Sequence, residues 1–298
     1  MGEAEPSQRW NETVEGTLRE LEGFDLSQVA APEDLDAVGD LMPAGAARAA
    51  LDIALHDLAA KRQGCSVRER LGIEGEPPPT SITVGIADKA ATLERVRRLA
   101  DTPIIKTKVG FDGDVRLIEE IRRIYQGRLR LDANEGWEPD EAIEKLTALA
   151  PFDIELCEQP IPAGRHDDLA RVTDASPILV FADEDVLTSE DVRDLVGKVD
   201  GVNLKLNKTG GITEALRAAE VARGLGMQLM LGCNLESGIG LSAGAQIAAL
   251  FDHIDLDSVT FLAKDPFPTV GYRGGHLVLP EGAGLGVTID PRDVWGDR

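Results

Sequence analysis

Leu131-Asp132-Ala133-Asn134-Glu135-Gly136-Trp137 is the stretch whose reading decides the fold. A short apolar run enters it and ends on an acid, Asp132. Two more acids stand in the same relation to an apolar run: Glu158 after 154–157, which is 26 residues on, and Asp183 after 178–182, another 25 on. One strand, one helix and two short loops take roughly 25–30 residues, so this period predicts a (β/α)8 barrel. The C-terminal ends of its parallel strands share one mouth, where Asp132, Glu158 and Asp183 converge. Three such carboxylates repel one another and need a cation. All-oxygen ligation, with no His or Cys nearby, favours Mg2+ or Mn2+ over zinc. With 53 Asp and Glu in the chain, any one of these acids alone reads as a solvated loop residue. The regular spacing and the flanking lysines set the three apart.

Outward from this stretch the pattern repeats. Apolar, β-branched runs at 81–86, 103–109, 128–132, 154–158, 178–183, 201–205, 228–232 and 253–255 predict eight strands, with helices such as 91–99 and 115–125 between most of them. A right-handed parallel barrel is the natural closure. Residues 1–75 read as helical instead. Val14, Leu18 and Leu21 fall on one face; Ala47, Leu51, Ala54, Leu55 and Leu58 share another, before a stop at Gly64. Pro77-Pro78-Pro79 marks a boundary. The organisation expected is a mostly helical part at 1–78, a barrel at 79–265, and an irregular Gly- and Pro-rich tail at 266–298 folding back on the helical part.

Composition narrows the function. The 298 residues suffice for one large barrel with a small appendage, and the formal charge of −22 argues against nucleic acid or an anionic membrane as partner. Cys65, Cys157 and Cys233 are far apart, lack metal-ligand spacing and read as buried thiols of a reducing compartment. The start carries no basic-then-apolar signal and no apolar run approaches a membrane span, so a cytoplasmic protein is expected. A homo-oligomer is expected as well.

Lysines complete the mouth. Lys106 and Lys108 end the second strand and alternation puts them on one face; two lysines buried together suppress each other's protonation, moving one towards a usable base. The run Ile104-Ile105-Lys106-Thr107-Lys108-Val109 is too apolar for a solvated edge strand. Lys205 ends the sixth strand, diametrically opposite in an eight-stranded ring. A substrate on the metal would then have an amine on each side of one carbon, the arrangement that removes a proton from one face and returns it to the other. The metal would stabilise the enediolate formed between those steps. Gly210-Gly211 before a helix reads either as a turn or as a phosphate cradle.

Lys106-Thr107-Lys108, Asp132-Ala133-Asn134, Glu158-Gln159-Pro160, Asp183-Glu184 and Lys205 with Lys208-Thr209-Gly210-Gly211, in this order and spacing, resemble the enolase superfamily, muconate-lactonizing subgroup. The resemblance runs over essentially the whole chain, from Ala50-Leu51-Asp52 to Gly284-Leu285-Gly286. It implies a modified (β/α)7β barrel with an α+β capping domain, Mg2+ on Asp132, Glu158 and Asp183, and Lys108 and Lys205 as the acid/base pair, with Lys106 tuning Lys108. A lysine base beside Mg2+ is the general pattern of such sites. Gly232-Cys233-Asn234 lacks the His of the mandelate-racemase subgroup. His253-Ile254-Asp255-Leu256-Asp257 resembles the Asp-x-Asp element that binds the α-ammonium group in dipeptide epimerases, and two carboxylates make a sound ammonium clamp. A helix N-cap or loop acid is the alternative reading. The resemblance thus implies a dipeptide epimerase of the L-Ala-D/L-Glu type, acting on the C-terminal residue. An o-succinylbenzoate synthase, a muconate-type cycloisomerase or an inactive truncated member are the other readings.

The chain departs from the family pattern in places. Its Met1-Gly2-Glu3-Ala4 start matches the end of the family's first cap sheet, so a truncated cap and a wetter site are expected. Asp185 stands where a Ser is usual and adds negative charge near the metal; Asn234 replaces a common Met. His56 replaces a common Trp and reads as structural.

Overall fold

A computed structural model describes residues 1–265, 267 and 270–288. Four helices come first: α1 (Val14–Gly23), α2 (Leu35–Leu41), α3 (Ala46–Gln63) and α4 (Val67–Arg70). Eight strands follow: β1 (Ile82–Val84), β2 (Ile104–Lys108), β3 (Arg128–Asp132), β4 (Ile154–Glu158), β5 (Leu179–Ala182), β6 (Gly201–Lys205), β7 (Gln228–Gly232) and β8 (His253–Asp255). Between them lie α5 (Lys89–Arg98), α6 (Asp114–Ile124), α7 (Pro139–Leu149), α8 (His166–Ala175), α9 (Ser189–Asp194), α10 (Leu206–Thr209), α11 (Ile212–Gly224) and α12 (Gly238–Ile247).

The strands are parallel and paired in chain order from β1 to β8. A parallel bridge between Thr80 and Ile254 joins the two ends of the sheet, with Ser81 N–H donating to Ile254 O at 3.1 Å. The expected α/β barrel is therefore the fold. β1 is shorter than expected: beyond Val84 the chain leaves the ring and Ile86 is 73% exposed.

Local chemistry holds the loop that carries Asp132. On α6, Leu117, Ile118 and Ile121 face the core, each worth roughly 1.5–3 kcal/mol on burial. Asp114, at the start of α6, accepts from Gly110 N–H at 3.1 Å, Trp137 Nε1 at 2.9 Å and Lys145 Nζ at 3.0 Å. Trp137 is buried, so the turn after β3 is pinned from behind. α7 opens with Pro139 at a position whose N–H needs no partner. Leu156 and Phe181, two residues before Glu158 and Asp183 along their strands, form a dry plug with Met230. Arg130 is buried at the same depth, paired with Glu155 at 2.6 Å and donating to Ile254 O at 2.8 Å.

α3 is buried on two sides, which the one-face reading of its apolar residues missed. Ala47 and Leu55 meet a small cluster with Val38 and Met42, while Ala49, Ile53 and Ala60 join the barrel core. Leu58 and, on α1, Val14 and Leu18 are exposed, contrary to expectation; of the α1 face, Leu21 packs against the small cluster. The Gly210-Gly211 pair is not a phosphate cradle. Asp52 Oδ1 of α3 already accepts from Ile212 and Thr213 N–H at 2.6 and 3.2 Å, filling the N-terminus of α11. Both glycines have left-handed φ, +84° and +114°, and a Cβ on Gly211 would lie 2.3 Å from that carboxylate oxygen. The double glycine lets the helical part seat on the barrel.

The tail is more regular than its composition suggests. β9 (Gly271–Arg273) and β10 (His276–Val278) form an antiparallel hairpin turned by Gly274 and Gly275. Beyond the hairpin, Ser66 bridges Gly284, and Leu285 N–H donates to Asp57 at 2.9 Å. Residues 289–298 of the expected tail lie outside the described residues. Among the described residues no helix is long and apolar enough to cross a membrane.

Candidate active site

The strand register sets the site. Lys108 pairs in register with Asp132, and Asp132 with Glu158, so three adjacent strand ends present a lysine and two acids side by side. Asp183 follows β5 directly. Lys106 Nζ lies 2.6 Å from Asp255, 2.7 Å from Glu158 and 3.1 Å from Asp132. Lys108 Nζ contacts Asp132 at 2.6 Å and Asn134 Oδ1 at 2.7 Å. Lys205 Nζ and Lys208 Nζ hold the two oxygens of Asp183 at 2.6 and 2.5 Å. The strand order places Lys108 and Lys205 on opposite sides of the ring, and both line one cavity of about 420 Å3 with Lys106, Asp255 and Asp257.

Electrostatics divides these groups. Burial would raise Asp132, but Lys106, Lys108 and Lys205 hold it at about 2. Asp183 is held well below the carboxylate range, Lys205 and Lys208 overcoming its burial. Glu158 goes the other way, pushed up to about 7 by burial and by Asp132, although Lys106 opposes the shift. Lys106 behaves unlike the expectation of suppression by a neighbouring lysine, and Lys205 moves the same way. Burial lowers Lys106 and Lys205, yet Asp255 and Glu158 around the first, and Asp183 beside the second, raise both above the ordinary lysine value. Each amine has a carboxylate closer than another amine, which a strand pattern does not reveal.

These residues suit a hard divalent cation by donor type: three carboxylates from neighbouring strand ends, with Glu158 carrying the unresolved repulsion of the other two. As they stand, no three acids among the described residues are drawn together closely enough to hold an ion.

Asp255 and Asp257 prove unequal. Asp255 is neutralised by Lys106 and accepts from Ser81 Oγ at 2.6 Å. Asp257 accepts from Thr83 N–H at 2.6 Å, faces no cation within salt-bridge reach among the described residues, and is pushed up to about 7 by burial and by Asp255. Its side chain does not cap the short helical turn that follows.

Several contributors escaped the sequence reading. Asn203 Nδ2 donates to Glu158 Oε1 at 2.8 Å; alternation with Lys205 on β6 was the available signal. Asn134 and Lys208, quoted within motifs, prove to be partners of Lys108 and Asp183. The Asp185 carboxylate is held by neighbours beside the mouth. It is tied to Gln159 Nε2 at 2.7 Å, Gly164 N–H at 2.7 Å and His166 at 3.1 Å. Of the cysteines only Cys157 is buried; Cys65 and Cys233 are partly exposed, and Cys233 lines the cavity. His56 is buried, 3.1 Å from Thr213 Oγ1 across the α3–α11 contact.

Comparison with known proteins agrees with this geometry. The family described as Enolase C-terminal domain-like matches residues 88–294, and the Mandelate racemase / muconate lactonizing enzyme N-terminal domain matches residues 21–72. The L-Ala-D/L-Glu epimerase of Bacteroides thetaiotaomicron is 36% identical over 294 residues, covering 96% of this chain and 77% of that protein. The crystal structure of a dipeptide epimerase from Enterococcus faecalis superposes with a TM-score of 0.91 at 32% identity, covering 97% of this chain and 89% of the other. A dipeptide epimerase from Cytophaga hutchinsonii, complexed with Mg and the dipeptide D-Ala-L-Val, superposes with a TM-score of 0.89 at 30% identity, covering 97% and 84%. With its barrel, its lysine and carboxylate mouth and both family domains matched, the chain belongs to the enolase superfamily, among the mandelate racemase and muconate lactonizing enzymes.

Proposed function

We propose that this isomerase is a dipeptide epimerase of the L-Ala-D/L-Glu type, inverting the α-carbon of the second residue with two lysines. The observation that carries the reading is the pair Lys108 and Lys205, set on β2 and β6 on opposite sides of one cavity, with Asp255 and Asp257 on its rim. Relatives named as dipeptide epimerases support it over the synthase and cycloisomerase readings, whose substrates have no amine for Asp257.

Asp132, Glu158 and Asp183 would hold Mg2+, as the Mg complex of the Cytophaga relative suggests. When bound, Mg2+ supplies positive charge that stabilises the substrate carboxylate as its α-carbon loses a proton, and engages acids that otherwise keep the lysines protonated. Lys108 Nζ takes or returns the proton on one face of the α-carbon and Lys205 Nζ on the other. Lys106, locked among Asp132, Glu158 and Asp255, positions the acids and biases Lys108 electrostatically. Asp257 receives the substrate ammonium.

The test is L-Ala-L-Glu in D2O with Mg2+, the glutamate α-proton followed by NMR. Loss of that signal with appearance of the diastereomer, and its suppression by EDTA, is the expected result. Absence of exchange over a small dipeptide panel, with turnover in an o-succinylbenzoate synthase assay, overturns it.

A further inference from the structure

The cavity wall carries one charge that the reaction leaves unused. Glu5 lines the cavity from the segment before α1, on the side of β6 and β7. Its main chain is fixed there, Glu5 N–H donating to Asn207 Oδ1 at 3.1 Å, and Asn207 in turn donates to Glu236 at 2.9 Å. The carboxylate has no counter-ion within salt-bridge reach among the described residues, and Glu5 Oε2 is buried without a hydrogen-bond partner. Asn234 lies beside it, its Nδ2 outside hydrogen-bond distance of any partner, and its amide pulls against the effect of burial on this carboxyl.

The neighbouring charges are already engaged. Arg9, on the same wall, contacts Glu184 and lies 3.2 Å from Glu135. Glu3 is spent on the N-terminus of α12, accepting from Ser237 and Gly240 N–H at 2.8 and 2.7 Å. Glu12 accepts from Ala46 and Ser7 N–H at 2.8 and 3.0 Å. Lys205, which flanks the reacting carbon, is committed to Asp183 at 2.6 Å. An acid with no counter-ion in reach among the described residues, on the wall of the cavity that Lys205 also lines, penalises an acidic side chain there and leaves a place for a basic one.

We infer that Glu5 is a specificity residue that selects dipeptides whose second, epimerised residue has a cationic side chain, an arginine or lysine. This rests on the dipeptide reading above and departs from the glutamate that gives the type its name. Burial raises the Glu5 carboxyl, with Glu12 and Glu3 adding to it and the Asn234 amide and the charge of Lys205 opposing it, and a bound guanidinium would hold it ionised. The remaining lining, Trp10, Leu235 and Phe261, offers apolar surface for the stem of such a side chain.

Binding and turnover are measured separately with L-Ala-L-Arg, L-Ala-L-Met and L-Ala-L-Glu, the first by calorimetry with Mg2+ present. The expected result is a preference for L-Ala-L-Arg over L-Ala-L-Met of about tenfold or more in both affinity and kcat/KM, with L-Ala-L-Glu weakest. Glu5→Gln, nearly isosteric, should collapse that ratio towards one, and Glu5→Lys should shift preference to L-Ala-L-Glu. Equal affinity for the three dipeptides, or an unchanged ratio in Glu5→Gln, overturns the assignment. Selective binding without turnover of any of them supports Glu5 while counting against the epimerase reading, so the two failures are distinguishable.

Discussion

Removing Lys205 separates catalysis from stability in a way the site geometry specifies. Lys205 Nζ and Lys208 Nζ each hold one oxygen of Asp183, at 2.6 and 2.5 Å. Stripping a buried acid of its partner costs about 3–5 kcal/mol when nothing replaces it. In Lys205→Ala the second lysine remains, so about 1–2 kcal/mol is expected, or roughly 2–3 °C in Tm for a chain of this size. Lys108→Ala is protected likewise, because Asp132 keeps Lys106 at 3.1 Å. Catalysis has no such reserve. A general acid or base contributes about 10²–10⁴-fold, so each variant should lose about 3–5 kcal/mol of barrier lowering. The loss should be one-sided: each variant stops exchanging the α-proton of one diastereomer in D2O while still exchanging that of the other. Single-turnover NMR with both diastereomers, alongside thermal unfolding, reads both quantities. Wild-type exchange of both diastereomers by Lys205→Ala would refute the two-base reasoning. A fall in Tm of more than about 5 °C would refute the claim that Lys208 still neutralises Asp183.

Two further outcomes follow from the shifted groups. Asp257, with a pKa of about 7 before substrate arrives, must ionise to hold an ammonium. Dipeptide affinity should therefore rise about tenfold per pH unit below 7 and level off above it, and Asp257→Asn should flatten that profile; a profile unchanged in the variant would remove the clamp. His56 is held down at about 3, by burial first and by Arg70 second. Its folded pKa lies below the unfolded value, so the unfolded chain binds the proton more readily. Stability should be fully present above about pH 6.5 and fall by up to about 1.4 kcal/mol per pH unit below it. His56→Gln should soften this slope in denaturant titrations at pH 4 to 7, and an identical slope would show that other groups dominate.

The barrel and most of its mouth were legible in the sequence because both depend on short-range pattern. The 26- and 25-residue spacings of Asp132, Glu158 and Asp183 reflect the fixed length of a strand–helix unit, and period-two alternation put Lys106 and Lys108 on one face. The opposition of Lys108 and Lys205 needed only the strand count. What the tertiary structure decided were pairings between residues far apart in the chain. Asp52 filling the N-terminus of α11, Asp255 taken by Lys106 while Asp257 accepts from Thr83 N–H, and Asp185 turned to Gln159 and His166 are such pairings. So is the sign of the lysine shifts. Alternation says that two amines share a face, but protonation is set by the nearest opposite charge, and that charge arrives on another strand. For the same reason Glu5, an unremarkable acid near the start of the chain, becomes informative only once folding brings it to the cavity wall with no counter-ion in salt-bridge reach among the described residues.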